Sequence, residues 1–305
     1  MTTALIDADI VAYRASAAAQ EDWDGETMVD LDYAIREAEA LTVGWTQRAG
    51  CSDPLLCFTA PDNFRKSFDG ADYKAGRGEK PRAYWDVVAH LETRFQFLRW
   101  PRLEADDVMA ILGTGHMKSA VVVTIDKDLK TAPIRLFNPV RDIRPQYIRP
   151  FQADLFWMKQ TLMGDPTDGY KGCPKIGPKR ADAILESCIS LEQMWEAVVK
   201  NYEAAELSEN EAILNARMAR ILRHEDYNQE TQEYRLWHPT NPIWVPLSHI
   251  KSEEPTTSAE KSSQSNTSSP TGSVSVRATS SSTSPAGPIK GGSKTSRKRV
   301  STSTS

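Results

Sequence analysis

Short apolar runs that end abruptly in carboxylates set the pattern of this chain. Ala4–Ile6 leads into Asp7-Ala8-Asp9, and the β-branched run Val121–Ile125 leads into Asp126-Lys127-Asp128. Uninterrupted apolar runs of this length read as strands buried on both faces. Leu55–Phe58 has the same character, and Ile134–Phe137 reads as an edge strand. Between these runs the apolar spacing changes to three and four. Ile10–Ala19, Asp30–Arg48, Trp85–Phe97 and Glu104–Leu112 are predicted helices. Leu31, Ala34, Ile35, Ala38 and Leu41 line one side of the second; Val88, Leu91 and Phe95 line one side of the third. This alternation predicts an α/β domain with a mostly parallel sheet over residues 1–150. From Phe151 the pattern is helical: Asp154–Leu162, Lys179–Cys188, Leu191–Tyr202 and Ser208–Leu222 make a helical region over 151–250. From Lys251 onward, 27 of 55 residues are Ser or Thr. Residues 251–305 have too few large apolar side chains to bury a core and are predicted to be a disordered tail. No internal repeat is visible.

Composition changes this picture in two places. The net charge of −4 is uneven: residues 251–305 carry eight Lys/Arg and three Glu, and residues 1–250 carry 29 Lys/Arg against 38 Asp/Glu. A globally acidic protein can still present a local basic surface to phosphate. Cys51, Cys57, Cys173 and Cys188 lack metal-type spacing and nearby His partners. They read as reduced thiols of a cytoplasmic protein. No secretory signal or membrane-length apolar run is present, so no membrane partner is expected.

The candidate chemistry lies in four acidic clusters: Asp7-Ala8-Asp9, Glu104-Ala105-Asp106-Asp107, Asp126-Lys127-Asp128 and Asp165-Pro166-Thr167-Asp168. A lone Asp after a strand is ordinarily a turn residue or a helix N-cap. Four clusters in one α/β pattern are different, because open sheets bind ligands beyond the carboxyl ends of their strands. Glu104 and Asp107 stand one helical turn apart, and Asp126 and Asp128 can point the same way from an extended exit. Such a gathering of carboxylates calls for hard divalent cations with oxygen ligands.

Two basic segments complete the inventory. Residues 62–84 interleave Arg65, Lys66, Lys74, Arg77, Lys80 and Arg82 with Phe64, Phe68, Tyr73 and Tyr84. Composition alone fits a solvated loop as readily, but the aromatic interleaving favours a single-strand contact, where bases stack on rings and cations hold phosphates. Gly172-Cys173-Pro174-Lys175-Ile176-Gly177-Pro178-Lys179-Arg180-Ala181 precedes a predicted helix. It lacks the Lys-Ser/Thr that a Walker A loop places after its last Gly. It reads as a helix–hairpin–helix-like turn, in which Gly172 and Gly177 let backbone amides approach a phosphate and Lys175, Lys179 and Arg180 add charge.

Taken together, these motifs resemble the 5′→3′ exonuclease and flap endonuclease superfamily, most of all the short exonucleases of podovirus phages. The resemblance covers roughly residues 1–248. It rests on Asp7 with Arg14 downstream; on Asn63-Phe64-Arg65-Lys66 followed by Tyr73-Lys74-Ala75-Gly76-Arg77; on Glu104-Ala105-Asp106-Asp107-Val108-Met109; and on Asp126-Lys127-Asp128 with Gly164-Asp165-Pro166-Thr167-Asp168-Gly169. Met218–Arg223, Tyr227-Asn228 and Leu236-Trp237-His238-Pro239 resemble the C-terminal end of the phage enzymes.

The resemblance implies a PIN-like α/β domain followed by a helix–three-turn–helix DNA-binding element at Gly169–Ala181, often with a monovalent cation. It implies 5′→3′ hydrolysis of duplex DNA with 5′ ends or flaps, and RNA–DNA hybrid cleavage alongside, by a monomer. Two Mg²⁺ or Mn²⁺ ions would be held by Asp7, Glu104, Asp106, Asp107, Asp126, Asp128, Asp165 and Asp168. Lys74 and Arg77 would neutralise the scissile phosphate in an arch over the site, with Arg14 as a further candidate; Lys66 would contact DNA. One departure stands out. The family usually has Phe-x-Asp after its second strand, and here Phe58-Thr59-Ala60 places Ala at that position, with Asp62 as the nearest substitute. Two rivals remain: a PIN-type ribonuclease, and a non-catalytic DNA-binding scaffold. The Gly172–Ala181 element and the basic arch argue against the first and the nearly complete acidic set against the second. Arg297-Lys298-Arg299 in the tail would be a weak DNA tether or a solvated end.

Overall fold

The computed structural model describes residues 2–24, 26–68 and 73–240; the expected tail at 251–305 lies outside the described residues. Strand β1 (Thr3–Asp7) runs into helix α1 (Ala8–Ala18), and a hairpin of β2 (Gln20–Trp23) and β3 (Glu26–Val29) leads to α2 (Leu31–Arg48). Then follow β4 (Asp53–Cys57), α3 (Tyr84–Arg94), β5 (Phe97–Leu98), α4 (Ala105–Thr114), β6 (Val121–Val123), β7 (Arg135–Phe137) and β8 (Gln146–Tyr147). The remaining elements are α5 (Pro150–Met163), α6 (Pro178–Leu185), α7 (Leu191–Ala204), α8 (Glu209–Ala219) and a hairpin of β9 (Tyr227–Asn228) and β10 (Glu233–Tyr234).

The main sheet has the order β5-β4-β1-β6-β7-β8, parallel except for β8. Its strands alternate between two cores. Ala4, Ile6, Leu56, Phe58, Val121 and Val123 pack with α1, α2 and α3 on one face. Leu5, Cys57 and Val122 pack with α4 and with Ile221 and Leu222 on the other. Burial on both faces explains why the strand sequences are uniformly apolar. The chain leaves β1 toward β4 on one side and returns through β6 on the other. A switch point therefore lies between β1 and β6, where an open sheet parts its connections and leaves a crevice.

Several boundaries differ from the sequence reading. The helix expected over Trp85–Phe97 ends at Arg94, because Phe95 turns extended and Phe97 pairs with Leu56. Trp85 itself is exposed. Ile134–Phe137 is not an edge: β8 pairs outside it in antiparallel register. The helix expected to reach Leu222 stops at Ala219, and the extended chain beyond it delivers the Leu222 N–H to Asp107 and Arg220 to Asp226. Two-residue strands carry too little periodicity to register in a sequence pattern.

The helical region packs on the sheet region through buried polar ties. Arg223 crosses to the sheet region by donating to the Thr131 carbonyl (2.7 Å); within the helical region it also donates to Asp154 (2.6 Å), and Trp157 Nε1 donates to the Ala216 carbonyl (2.8 Å). Trp157, Met158, Leu162, Met194, Val198 and Tyr202 form its core.

Candidate active site

The crevice at the β1–β6 switch point is built from carboxylates that cap their own backbone. Asp7 ends β1 and caps α1, accepting the Ile10 N–H at 3.2 Å. Its other oxygen accepts the Thr124 hydroxyl (2.9 Å) at the exit of β6, and that hydroxyl accepts the Asp126 N–H (3.0 Å). Asp126 in turn accepts the Asp128 N–H (2.8 Å), and Asp128 accepts Gln160 Nε2 from α5 (2.6 Å). The ordinary capping role of a strand-end Asp and its place in the crevice are thus compatible.

The electrostatics show which acids share the space. Burial pushes the Asp7 carboxyl up to about 7, with Asp9 the next contributor and Asp126 a smaller one. Burial, then Asp126 and Asp7, drives Asp106 well above the usual carboxylate range. Burial also raises Asp126, with Asp168 opposing its ionisation. Burial and then Asp126 lift Asp128 to about 7. Asp7, Asp9, Asp106, Asp126, Asp128 and Asp168 therefore form one mutually repelling set, as like charges in a confined, poorly solvated space must.

Cations flank this set. Burial alone would raise Glu104, but Lys74 and then Arg65 hold its carboxyl below the usual value. Lys74 Nζ stands 2.5 Å from Glu104 Oε1, and the Tyr73 hydroxyl donates to Oε2 at 2.5 Å. Arg77 reaches Asp168 at 2.9 Å, and Lys127 reaches Asp165 at 2.9 Å. Burial opposes ionisation of Asp165 too, yet Lys127 and the Thr167 N–H lower its carboxyl. Lys74 and Arg77 thus come to the site as the sequence suggested, and Lys74 does so from left-handed backbone (φ +56°).

Three expected site residues stand elsewhere. Asp107 is fully buried in a bidentate pair with Arg65 (2.7 and 2.8 Å) and also accepts the N–H groups of Leu222 (3.0 Å) and Glu104 (3.2 Å). Four donors occupy its two oxygens, so it is a structural anion and not a metal ligand. Glu104 and Asp107 do share a face, but that face meets Arg65. Asp62 is exposed and accepts the Arg102 N–H (3.0 Å), outside the repelling set. Arg14 lies on the exposed side of α1 and makes no ion pair among the described residues.

The glycine segment also divides. Gly172 does not offer its amide to a phosphate, because the N–H donates to Asn215 Oδ1 (2.8 Å). Its role is steric: at φ +65° a Cβ would lie 2.2 Å from the Gly164 nitrogen. Gly177, in contrast, caps α6 with open space around it, and Lys175, Lys179 and Arg180 are exposed nearby. Lys66 is exposed and donates to the Pro61 carbonyl (3.1 Å).

The sequence reading missed Arg65 as a buried anchor, Gln160 as a partner of Asp128, and the tie of Asp9 to Thr59 and Tyr84. Only Asp9 carried a signal, its place two residues after Asp7. Among the described residues no three His, Cys, Asp or Glu side chains stand ready as a preformed ion cage. Two oxygens nevertheless point to a missing partner: Asp106 Oδ1 and Gln160 Oε1 are buried and lack a hydrogen-bond donor. A buried oxygen without a donor, among carboxylates that resist ionisation, fits a divalent cation, and Mg²⁺ would bridge loose spacing with its own waters.

Comparison with known proteins follows the same direction. The chain is 30% identical to the exodeoxyribonuclease of Enterobacteria phage T3, over 77% of this chain and 92% of that protein. It is 29% identical to the exonuclease of Escherichia phage T7, over 77% and 93%. The bacteriophage T5 flap endonuclease, solved in complex with DNA and metal ions, shares the fold with a TM-score of 0.53 at 14% identity, over 72% of this chain and 89% of that one. No family model matches the chain.

Proposed function

We propose, for a chain that belongs to the 5′→3′ exonuclease and flap endonuclease superfamily, that it hydrolyses DNA from 5′ ends and at flaps at the carboxylate crevice between β1 and β6. The observation that carries the siting is the convergence of Asp7, Asp106 and Asp126 from three separate elements into one repelling set with a partnerless oxygen.

Asp7, Asp106, Asp126 and Asp128 would hold two Mg²⁺ or Mn²⁺ ions, with Glu104, Asp165 and Asp168, each paired with a cation, acting through bound water. When bound, such ions polarise the phosphate, activate an attacking water and stabilise the leaving oxygen. The protein's own groups position and neutralise. Lys74 and Arg77, now paired with Glu104 and Asp168, are placed to exchange those partners for the scissile phosphate. Their charge contributes most where negative charge grows during P–O cleavage. Tyr73 and Arg65 hold Glu104 in place for that exchange. The Gly177 end of α6, with Lys175, Lys179 and Arg180, supports contacts to the duplex backbone that position it without reading sequence. A monovalent cation at this element, RNA–DNA hybrid as a second substrate and a monomeric working unit complete the reading.

A substrate panel tests it: flap, nick, blunt duplex, RNA–DNA hybrid and single-stranded RNA, each with Mg²⁺ and with EDTA. Release from 5′ ends and flaps that requires Mg²⁺ is expected. Cleavage of single-stranded RNA in preference to every DNA substrate would overturn it in favour of a ribonuclease.

A further inference from the structure

On the β4 side, the crevice receives no carboxylate from β4 or its exit, where Cys57, Thr59 and Ala60 are all uncharged. Asp62, the next acid along, is turned to the Arg102 N–H. What stands in that corner is Asp9, in the first turn of α1. Its Oδ2 accepts the Thr59 N–H at 2.9 Å and its Oδ1 accepts the Tyr84 hydroxyl at 2.8 Å. Thr59 in turn accepts the Ala105 N–H through its hydroxyl (3.1 Å), at the start of the helix that carries Asp106. One threonine therefore ties Asp9 to the helix bearing the partnerless Asp106 oxygen.

Both hydrogen-bond partners of Asp9 are neutral, and no cation stands at ion-pair distance from it among the described residues; Lys80, over the Tyr84 ring at 3.5 Å, interacts with its charge only from farther off. Each carboxylate oxygen accepts one hydrogen bond and keeps a further lone pair. Neutral donors that fix a carboxylate without cancelling its charge are the arrangement that orients ligands around metal ions. The geometry points to Asp9 as a further acid of the metal site, supplying from α1 the charge that the β4 exit does not provide. This inference rests on the metal-dependent reading of the crevice.

Mn²⁺ binding to the full chain without DNA, followed by the electron paramagnetic resonance of the free ion, tests it independently of turnover. Asp9→Asn keeps the shape and removes the charge. It should weaken Mn²⁺ binding roughly 10- to 100-fold, the range for an outer-shell partner. Its melting temperature in EDTA should hold or rise, since one charge leaves a repelling set. Tyr84→Phe, which leaves the charge in place, should weaken binding far less. Asp106→Asn is the control for the site. Near wild-type binding by Asp9→Asn beside a clear loss in Asp106→Asn would remove Asp9 and leave the site standing. Wild-type binding by both variants would overturn the site itself. A lower EDTA melting temperature or failure to fold in Asp9→Asn, or equal losses in Tyr84→Phe, would reduce Asp9 to a structural cap and overturn the inference.

Discussion

Asp106 and Asp107 are neighbours in the sequence, yet their removal should affect the metal-free fold in opposite ways. Asp107→Ala deletes the acceptor of two Arg65 nitrogens at 2.7 and 2.8 Å and of the Leu222 and Glu104 N–H groups. Arg65, only 1% exposed, would keep one longer contact to Glu104 (3.2 Å) and one to the Arg220 carbonyl (2.6 Å). Breaking a buried pair in this way costs about 3–5 kcal/mol, because the surviving charge stays buried without its partner. At about 2–4 °C per kcal/mol for a folded unit of this size, the melting temperature should fall by roughly 6–20 °C. Asp106→Ala removes a carboxylate that lacks a donor on one oxygen and is repelled by Asp126 and Asp7. In EDTA its melting temperature should hold or rise, and Mg²⁺ should no longer raise it. The assay is thermal unfolding by circular dichroism at neutral pH, with EDTA and with Mg²⁺, on wild type and both variants. Wild-type stability in Asp107→Ala, or an Asp106→Ala protein as unstable as Asp107→Ala, would refute the division of these two acids into metal ligand and structural anion.

The remaining predictions concern protons, charge and close packing. Asp7 and Asp128 titrate near 7 in the fold against 3.8 when free, so the folded state keeps protons that the unfolded chain has released. Metal-free stability should therefore fall as pH rises from about 4 to about 7, by up to about 1.4 kcal/mol per group and pH unit. The increase in melting temperature given by Mg²⁺ should be larger at pH 8 than at pH 5.5, where protons compete with the ion; a Mg²⁺ effect independent of pH would contradict this. Lys74→Ala should slow single-turnover cleavage on the order of 10²-fold while leaving duplex affinity within a few-fold, as for loss of one group acting on developing charge; an effect on affinity alone would make Lys74 a tether. Gly172→Ala should lower the melting temperature because its Cβ meets backbone 2.2 Å away, whereas Gly177→Ala should fold normally; equal stability of the two would contradict the packing described.

The strand ends were legible in the sequence because apolar runs closing on Asp7 and Asp126 have few structural alternatives in an alternating α/β pattern. Asp106 was legible with them, since a helix starting at Glu104 faces the same sheet end. What sequence spacing could not show was which oxygen meets which cation. Asp107 looked equivalent to Asp106, and only the burial of Arg65 and the arrival of Leu222 from 115 residues away separate them. Gly172 looked like a phosphate contact, but its amide goes to Asn215, a pairing made by tertiary packing of α8. The loss of Asp62 from the site, and the position of Asp9 in the corner beside Thr59, also depend on long-range contacts. Strands β5 and β8 escaped notice because two residues make no period.

The most direct test of the central claim is single-turnover hydrolysis of a duplex labelled at one 5′ end, comparing wild type with Asp126→Asn. With Mg²⁺, wild type should release label from the 5′ end, and EDTA should stop it. Asp126→Asn should bind the duplex in Ca²⁺ yet release no label. Release from the 3′ end, release that persists in EDTA, or wild-type turnover by Asp126→Asn would contradict a metal-dependent 5′ nuclease centred on this crevice.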